Sequence, residues 1–464
     1  MKERVEIWVI LLWVSCSCTA SRSVIDQAPY SVSQNSSYYA APITPEKALE
    51  EELPSTLTLE AIIHLALSHN PSTAKAWAEA RVAAATWRES QSGDFPIISG
   101  GYQLSRSKEP VTAALSPEVI SEYATEWGPQ LDLTYTLLDF GQTSMQIQAA
   151  KEALLSADCL HRYQIQTTLQ QTLFSYYSYL SQQNELTSQE LNVNTAALTE
   201  HIVEKEVTLG IKDASDLLQA KTELLKAQIE VALQKQKVIE AKANLLTQIG
   251  MKCNHPVEIE ACFDKIYSLV THYDTEALLK IALAKRSDLL SSQASLRAQE
   301  FRVKGAKRQF FPEVTYDLSA FTGRVKPGGD VGINYSSVIA LNIPLFSGFS
   351  SLNQLEKEKS LRDVYAASLK QSELLVREQV ITCHAAMQTS TTVLELAKAF
   401  EKASLEQYEA ALGRYQAGVG SILELTTSQN TLGVARSQLV KSQTELLSAF
   451  VNLHYVTGLL APLS

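Results

Sequence analysis

Apolar residues in this chain follow two periods, and the period changes at matching points along two halves of the sequence. In Gln130-Leu131-Asp132-Leu133-Thr134-Tyr135-Thr136-Leu137 every second residue is apolar, and Val314, Tyr316, Leu318 and Ala320 alternate with Thr315, Asp317 and Ser319. A period of two predicts strands with one apolar and one polar face. Four such runs occur, Ile97–Arg106 and Trp127–Leu138 in the first half, Val314–Thr322 and Tyr335–Phe346 in the second. Each is about as long as a tilted strand must be to cross a bilayer. The polar stretches between them, around Pro110–Thr125 and Gly323–Asn334, predict long loops.

Elsewhere the period is helical. Helices are predicted over Thr58–Ser90 and Thr275–Gln309, each running into a proline entry, Phe95-Pro96 and Phe311-Pro312. After each strand pair, Gln142–Thr208 and Phe349–Gln416 contain no proline and almost no glycine. Some 65 residues at 1.5 Å each make a helix of about 100 Å, which tubes and coiled coils contain and globular domains rarely do. Beyond these, Leu217, Leu224, Val231, Val238 and Leu245 recur every seven residues, with Ala220, Ala227, Gln234, Ala241 and Gln248 at the intermediate positions. A second column stands one residue on: Leu218, Leu225, Ala232, Ile239 and Leu246. One seam serves a two-stranded coiled coil; a double seam predicts packing on neighbours at both sides.

The order of signals occurs twice. Gly210 and Gly418 are 208 residues apart, as are Gly250 and Gly458, and Gly141 and Gly348 are 207 apart. Adding 208 to the first heptad column gives Leu425, Leu432, Leu439, Leu446 and Leu453, an unbroken column of leucine. The chain therefore divides into a leader (1–18), an extended polar segment (19–56), one repeat (57–250), a connector (251–274), a second repeat (275–458) and a tail (459–464). Four strands cannot close a barrel, and an open sheet in lipid leaves edges that the bilayer does not tolerate. Several copies must share one barrel, and three copies give twelve strands.

Composition narrows the reading. Net charge is -10 with no block rich in Lys or Arg, so nucleic acid is not expected as a partner. Lys2 and Arg4 precede Ile7–Val14, an apolar stretch too short to span a bilayer, and residues 1–18 read as an export signal despite Glu3 and Glu6. Cys16 and Cys18 follow among small residues in an arrangement that resembles a lipoprotein processing site; plain cleavage without an anchor is the alternative. Cys253 and Cys262 flank Pro256 and are either a local disulfide or two free thiols, while Cys159 and Cys383 fall in helical patterns as packing residues.

The duplicated plan, the Pro96 and Pro312 entries, the strand-to-helix turns Leu138-Asp139-Phe140-Gly141 and Pro344-Leu345-Phe346-Ser347-Gly348, and the tips Leu209-Gly210-Ile211 and Ala417-Gly418-Val419 together resemble the TolC-like outer-membrane efflux protein family. In the first turn Leu137 stands where the second has Pro344. The resemblance implies a mostly α protein with membrane β: long antiparallel helices forming an α-barrel, and four strands per protomer in a shared 12-stranded trimeric β-barrel. It implies a passive exit duct in the outer membrane of a Gram-negative-type bacterium, with a long periplasmic extension. Its partners would be two further copies of the chain, outer-membrane lipid, a periplasmic adaptor (membrane fusion) protein and an inner-membrane pump of an efflux or type I secretion system. The tips would dock the adaptor. Asp216 and Glu424, six residues past the tip glycines, are similar to the family's mouth-lining acids and would form a gate, and a further acidic position falls on Thr427.

No enzyme chemistry and no cofactor is expected. Asp139-Phe140-Gly141 spells a kinase triplet but ends a strand, and the other kinase signatures are missing. Cys253 and His255 have no second ligand pair nearby, and His64 and His69 do not share a helix face. A non-transport coiled-coil scaffold is the alternative function; it gives no reason for paired strands of bilayer length.

Overall fold

The computed structural model describes residues 56–112, 119–253, 258–260, 274–326 and 332–460. The leader with Cys16 and Cys18, and Cys262, lie outside the described residues. In chain order the elements are β1 (Thr56–Leu57), α1 (Leu59–His69), α2 (Pro71–Ser90), β2 (Ile97–Thr112), β3 (Val119–Leu138), α3 (Gln142–Thr208), α4 (Ala214–Gln248), β4 (Glu258–Ile259), α5 (Thr275–Lys285), α6 (Ser287–Arg308), β5 (Glu313–Lys326), β6 (Gly332–Asn342), α7 (Ser350–Gln416) and α8 (Ile422–Val456). They belong to two compact units, one of the described residues within 56–78, 160–287 and 374–460, the other of those within 79–159 and 288–373.

The duplication is kept residue for residue, with two spacings. The starts of α1 and α5, of α2 and α6, and of β2 and β5 are each 216 residues apart. From α3 onward the spacing is 208, and α3 and α7 are both 67 residues long, α4 and α8 both 35. The difference of eight residues falls within the first strand hairpin.

Two predicted helices are each broken in two. Thr58–Ser90 divides at Asn70 and Thr275–Gln309 at Arg286, both in extended conformation (ψ 125° and 122°). Pro71 explains the first break, because the residue before proline is pushed out of the helical region. Side chains at both breaks bind other helices: Asn70 Nδ2 donates to the Gln248 carbonyl at 2.8 Å, and Arg286 Nη1 donates to Gln379 Oε1 at 2.6 Å. Three apolar clusters hold the first unit. One joins α1 to Tyr176 and Tyr177 of α3 and to Leu245, Leu246 and Ile249 at the end of α4. Another joins Leu278 and Ala282 of α5 to Val376 and Val380 of α7 and to Leu446 and Leu453 of α8. The third lies beneath the two tips, around Val203, Ala220, Tyr415, Leu425 and Leu432.

The heptad columns divide in the structure. The leucine column of α8 is buried at Leu425, Leu432, Leu446 and Leu453. In α4 the second column is buried at Leu246 but bare at Leu218, Leu225 and Ile239, where none of the described residues covers it.

In the second unit β2, β3, β5 and β6 form one antiparallel sheet in that order. The strands extend beyond the alternating runs, into the segments expected as loops, except that β6 stops at Asn342 instead of continuing to Phe346. Pro344 has no N–H to give a ladder. In β3 the register shifts between Thr136 and Leu138, a bulge that turns the strand toward α3.

Candidate functional site

The first candidate site is the pair of helix turns at Gly210 and Gly418. Both glycines have positive φ (72° and 75°), the conformation that lets a helix end without a Cβ clash. The closing bonds match: Gly210 N–H to the Val207 carbonyl and Ile211 N–H to Glu206, Gly418 N–H to Tyr415 and Val419 N–H to Arg414, all at 2.9–3.1 Å. This is a glycine-terminated helix end in both repeats. A Cβ at Gly210 or Gly418 would meet nothing within 4 Å, so backbone conformation is what requires glycine there; at Gly420 it would meet the backbone of Tyr415 at 2.8 Å. Leu209, Ile211 and Val419 stand exposed at the turns, Leu209 at 73%.

Asp216 and Glu424 lie in the first turns of α4 and α8, where their charge complements the helix dipole. Their surroundings differ. Glu424 is paired with Arg414 at 3.1 Å across its own hairpin. Asp216 accepts a hydrogen bond from the Tyr415 hydroxyl at 3.2 Å, which links the first hairpin to the second. The Tyr415 side chain is fully buried; burial pushes its pKa above the ordinary value, and the charges of Asp216 and Glu206 push it further, so the phenol keeps its proton and stays a donor. Lys212 Nζ sits 4.5 Å over the same ring and donates to the Gly420 carbonyl at 3.4 Å. The repeat explains the asymmetry, because Arg414 has Glu206 as its counterpart 208 residues earlier, and the first hairpin cannot form the second one's ion pair. Thr427 is exposed on α8.

Tyr415, Lys212 and Arg414 were not singled out from the sequence. Folding the second hairpin about Gly418 would have brought Arg414 opposite Glu424; nothing local marks Tyr415, whose counterpart is Val207.

At the strand-to-helix turns the structure corrects the alignment of the two halves. Positive φ occurs at Phe140 and Gly141 in the first turn, and at Gly348 and Phe349 in the second. At a spacing of 208 Gly141 corresponds to Phe349 and Gly348 to Phe140, so the two glycines are not equivalent. By the same spacing Pro344 corresponds to Thr136, not Leu137. Asp139 and Ser347 are counterparts. Asp139 accepts from the N–H groups of Gly141 and Thr143, at 2.8 and 2.5 Å, and Ser347 Oγ accepts from Ser351 N–H at 3.3 Å.

The second candidate site is the sheet. Paired residues share a face, so Ile98, Leu133 and Leu318 stand in one row and Ser99, Asp132, Ser319 and Ser336 in the next. One face carries Tyr102, Leu104, Leu131, Tyr135, Tyr316, Ile339 and Leu341; the other carries Gln103, Gln130, Thr134, Thr315, Asp317 and Asn334. On the polar face Gln130 donates to both Asp132 oxygens and Thr315 to Asp317. The outer strands β2 and β6 each have one edge without a strand partner among the described residues. Large apolar side chains on them face outward, Leu104 and Tyr335 being 74% and 77% exposed. Among the described residues no helix is long and apolar enough to cross a membrane. No cluster of His, Cys, Asp and Glu among them could hold a metal ion, and no disulfide joins Cys159, Cys253 or Cys383 to another of them.

A sheet apolar on one face and polar on the other, combined with paired helical hairpins of fixed repeat, defines an outer-membrane channel protein. The family model described as "Outer membrane efflux protein" matches residues 62–251 and 278–459, and the chain belongs to that family. It is 23% identical over 388 residues to "Probable efflux pump outer membrane protein TtgC" of Pseudomonas putida, covering 81% of this chain and 77% of that protein. It is 24% identical over 339 residues to "Pyoverdine export outer membrane protein OpmQ" of Pseudomonas aeruginosa, covering 71% and 69%. Among solved structures, the outer-membrane channel OprN superposes with a TM-score of 0.75 at 18% identity, covering 93% of this chain and 97% of that one. Membership of a family of outer-membrane channels sets the scaffold alternative aside.

Proposed function

We propose that this chain is one protomer of a homotrimeric exit duct that receives cargo from an inner-membrane pump through a periplasmic adaptor and passes it across the outer membrane. One observation carries the reading: four amphipathic strands form a sheet with a lipid-compatible face, a polar face and two edges unpaired among the described residues. Hydrocarbon does not tolerate unpaired strand edges, and pairing β2 of one copy with β6 of the next satisfies both. Three copies close twelve strands around the polar faces, leaving water and Asp132 and Asp317 inside. The bare column Leu218, Leu225 and Ile239 supports the same arrangement, because a neighbouring copy would cover it.

In this reading the tips Leu209-Gly210-Ile211 and Ala417-Gly418-Val419 present exposed apolar side chains, Leu209, Ile211 and Val419, to the adaptor. The Asp216–Tyr415 bond holds the two hairpins of a protomer in one arrangement, the Arg414–Glu424 pair braces the second hairpin, and their loosening opens the mouth. Acylation at Cys16 or Cys18 would add a lipid anchor. Drugs, solvents, siderophores and proteins are all compatible with such a duct, because the pump selects what enters it. The test is reconstitution of the full chain in a planar bilayer. Stepwise, cation-preferring conductance is expected, and protein that fails to insert overturns the reading.

A further inference from the structure

The repeat that relates the two halves also relates two helix seams, and only one of them is filled within the chain. Along that seam α8 meets α3 through polar pairs. Gln170 Nε2 donates to Asn452 Oδ1 at 2.7 Å, Ser437 Oγ to Glu185 Oε1 at 2.6 Å, and Arg436 Nη1 to Asn192 Oδ1 at 3.0 Å. Between the first two pairs Leu447 of α8 and Leu173 of α3 belong to one apolar cluster. Beside the last two lies a cavity of about 360 Å³, whose lining includes Gln189, Asn192, Gly433 and Ser437.

A step of 208 residues turns α3 into α7 and α8 into α4. On α4 the counterparts of Gly433, Ser437 and Leu447 are Leu225, Ile229 and Ile239, and all three are exposed. On α7 those of Leu173, Glu185 and Asn192 are Ile381, Val393 and Phe400, of which Ile381 and Phe400 are exposed. The polar pair Ser437–Glu185 is thus answered by Ile229 and Val393, and the gap at Gly433 by the side chain of Leu225. The pair Asn452–Gln170 stays polar, as Asn244 and Glu378. In the equivalent register, apolar positions of α4 oppose apolar positions of α7, and a polar position opposes a polar one.

We propose that α4 of one copy lies on α7 of the next in the register that α8 takes on α3 within a single chain. The proposal rests on the exit-duct reading above and names the seam by which its copies join. A contact between two unlike patches repeats from copy to copy and can close as a ring. The polarity of the seams also excludes the other pairing. With α4 set on α3 of another copy, Ile229 would take the place of Ser437 against Glu185. A carboxylate would then be buried without the hydroxyl that now donates to it, which costs more than the apolar contact returns. First and second repeats must therefore alternate around the ring.

The experiment is cross-linking of the full chain in membranes with a short bismaleimide, read on a denaturing gel beside the wild type. The I229C/V393C protein is expected to give dimer and trimer bands that the wild type and each single variant lack. The I229C/A386C protein, one heptad out of register, is expected to give none. A three-chain particle in which I229C/V393C links no better than I229C/A386C, or links only within single chains, overturns the proposal and leaves the duct standing. Should I229C/V393C fail to assemble, Q228C/F400C tests the same register, and the same absence of bands overturns it. A wild-type particle of monomer mass would instead count against the duct.

Discussion

A Cβ placed on Gly250 would stand 2.6 Å from the carbonyl oxygen of His69, the residue that ends α1 before the break at Asn70. The same contact recurs in the second repeat, where Gly458 faces the Lys285 carbonyl at 3.3 Å. Both glycines also have positive φ, 77° and 70°. Each helix break is thus seated against the glycine end of the long hairpin of its own repeat. Gly250→Ala should destabilise the assembly by about 2–4 kcal/mol, combining the left-handed penalty with a clash against backbone. Gly458→Ala should lose only about 1–2 kcal/mol, since its neighbours need to move little. Thermal denaturation in detergent compares them, and equal losses would contradict the difference in contact.

Tyr415 is the donor that ties Asp216 to the second hairpin. Tyr415→Phe keeps the ring under Lys212 and removes the hydroxyl, a loss of about 1 kcal/mol. It should raise the open probability of reconstituted channels, as should Asp216→Ala and Glu424→Ala, the double acidic variant most. Single-channel records decide this; unchanged conductance and selectivity would remove these residues from the gate.

Asp139 caps the start of α3. Burial pushes its carboxyl up, but hydrogen bonds from Thr143 and the Gly141 N–H outweigh burial and hold its pKa below the ordinary value. The folded protein therefore favours the carboxylate. This stabilisation is present above the unfolded carboxyl's titration near pH 4 and is lost as pH falls through the lower folded value. Asp139→Ala should lose about 1 kcal/mol at neutral pH and progressively less below about pH 4. A difference independent of pH would contradict the assignment.

Leu225 lies in the middle of the bare column on α4. Leu225→Glu should leave the chain folded, because the side chain touches little of its own protomer, yet shift the particle toward single chains. Gel filtration with light scattering would show this, and an unaltered particle would mean that the column is not covered by a neighbouring copy.

Periodicity made the architecture legible. Alternation at Gln130–Leu137 and Val314–Ala320 marked the sheet and its two faces, and the absence of proline after Gln142 marked the long helix. Boundaries were less legible. Strand ends beyond Arg106 no longer alternate in hydrophobicity, since Ser107, Lys108 and Glu109 are polar in succession. The helix break at Arg286 has no proline to announce it and depends on contacts with α7 and α8. At the strand-to-helix turns glycine does not mark equivalent positions, because two successive left-handed residues are needed and each repeat supplies glycine at only one of them. The acids at the tips were visible as a repeat, whereas Tyr415 and Lys212 act across hairpins that are distant in sequence.

The central claim is that three copies close one barrel. Full-length protein extracted in mild detergent and measured by light scattering, with the detergent contribution subtracted, tests it most directly. A protein mass of three chains is the predicted result. A monomer or dimer, or a protein soluble without detergent, would contradict it.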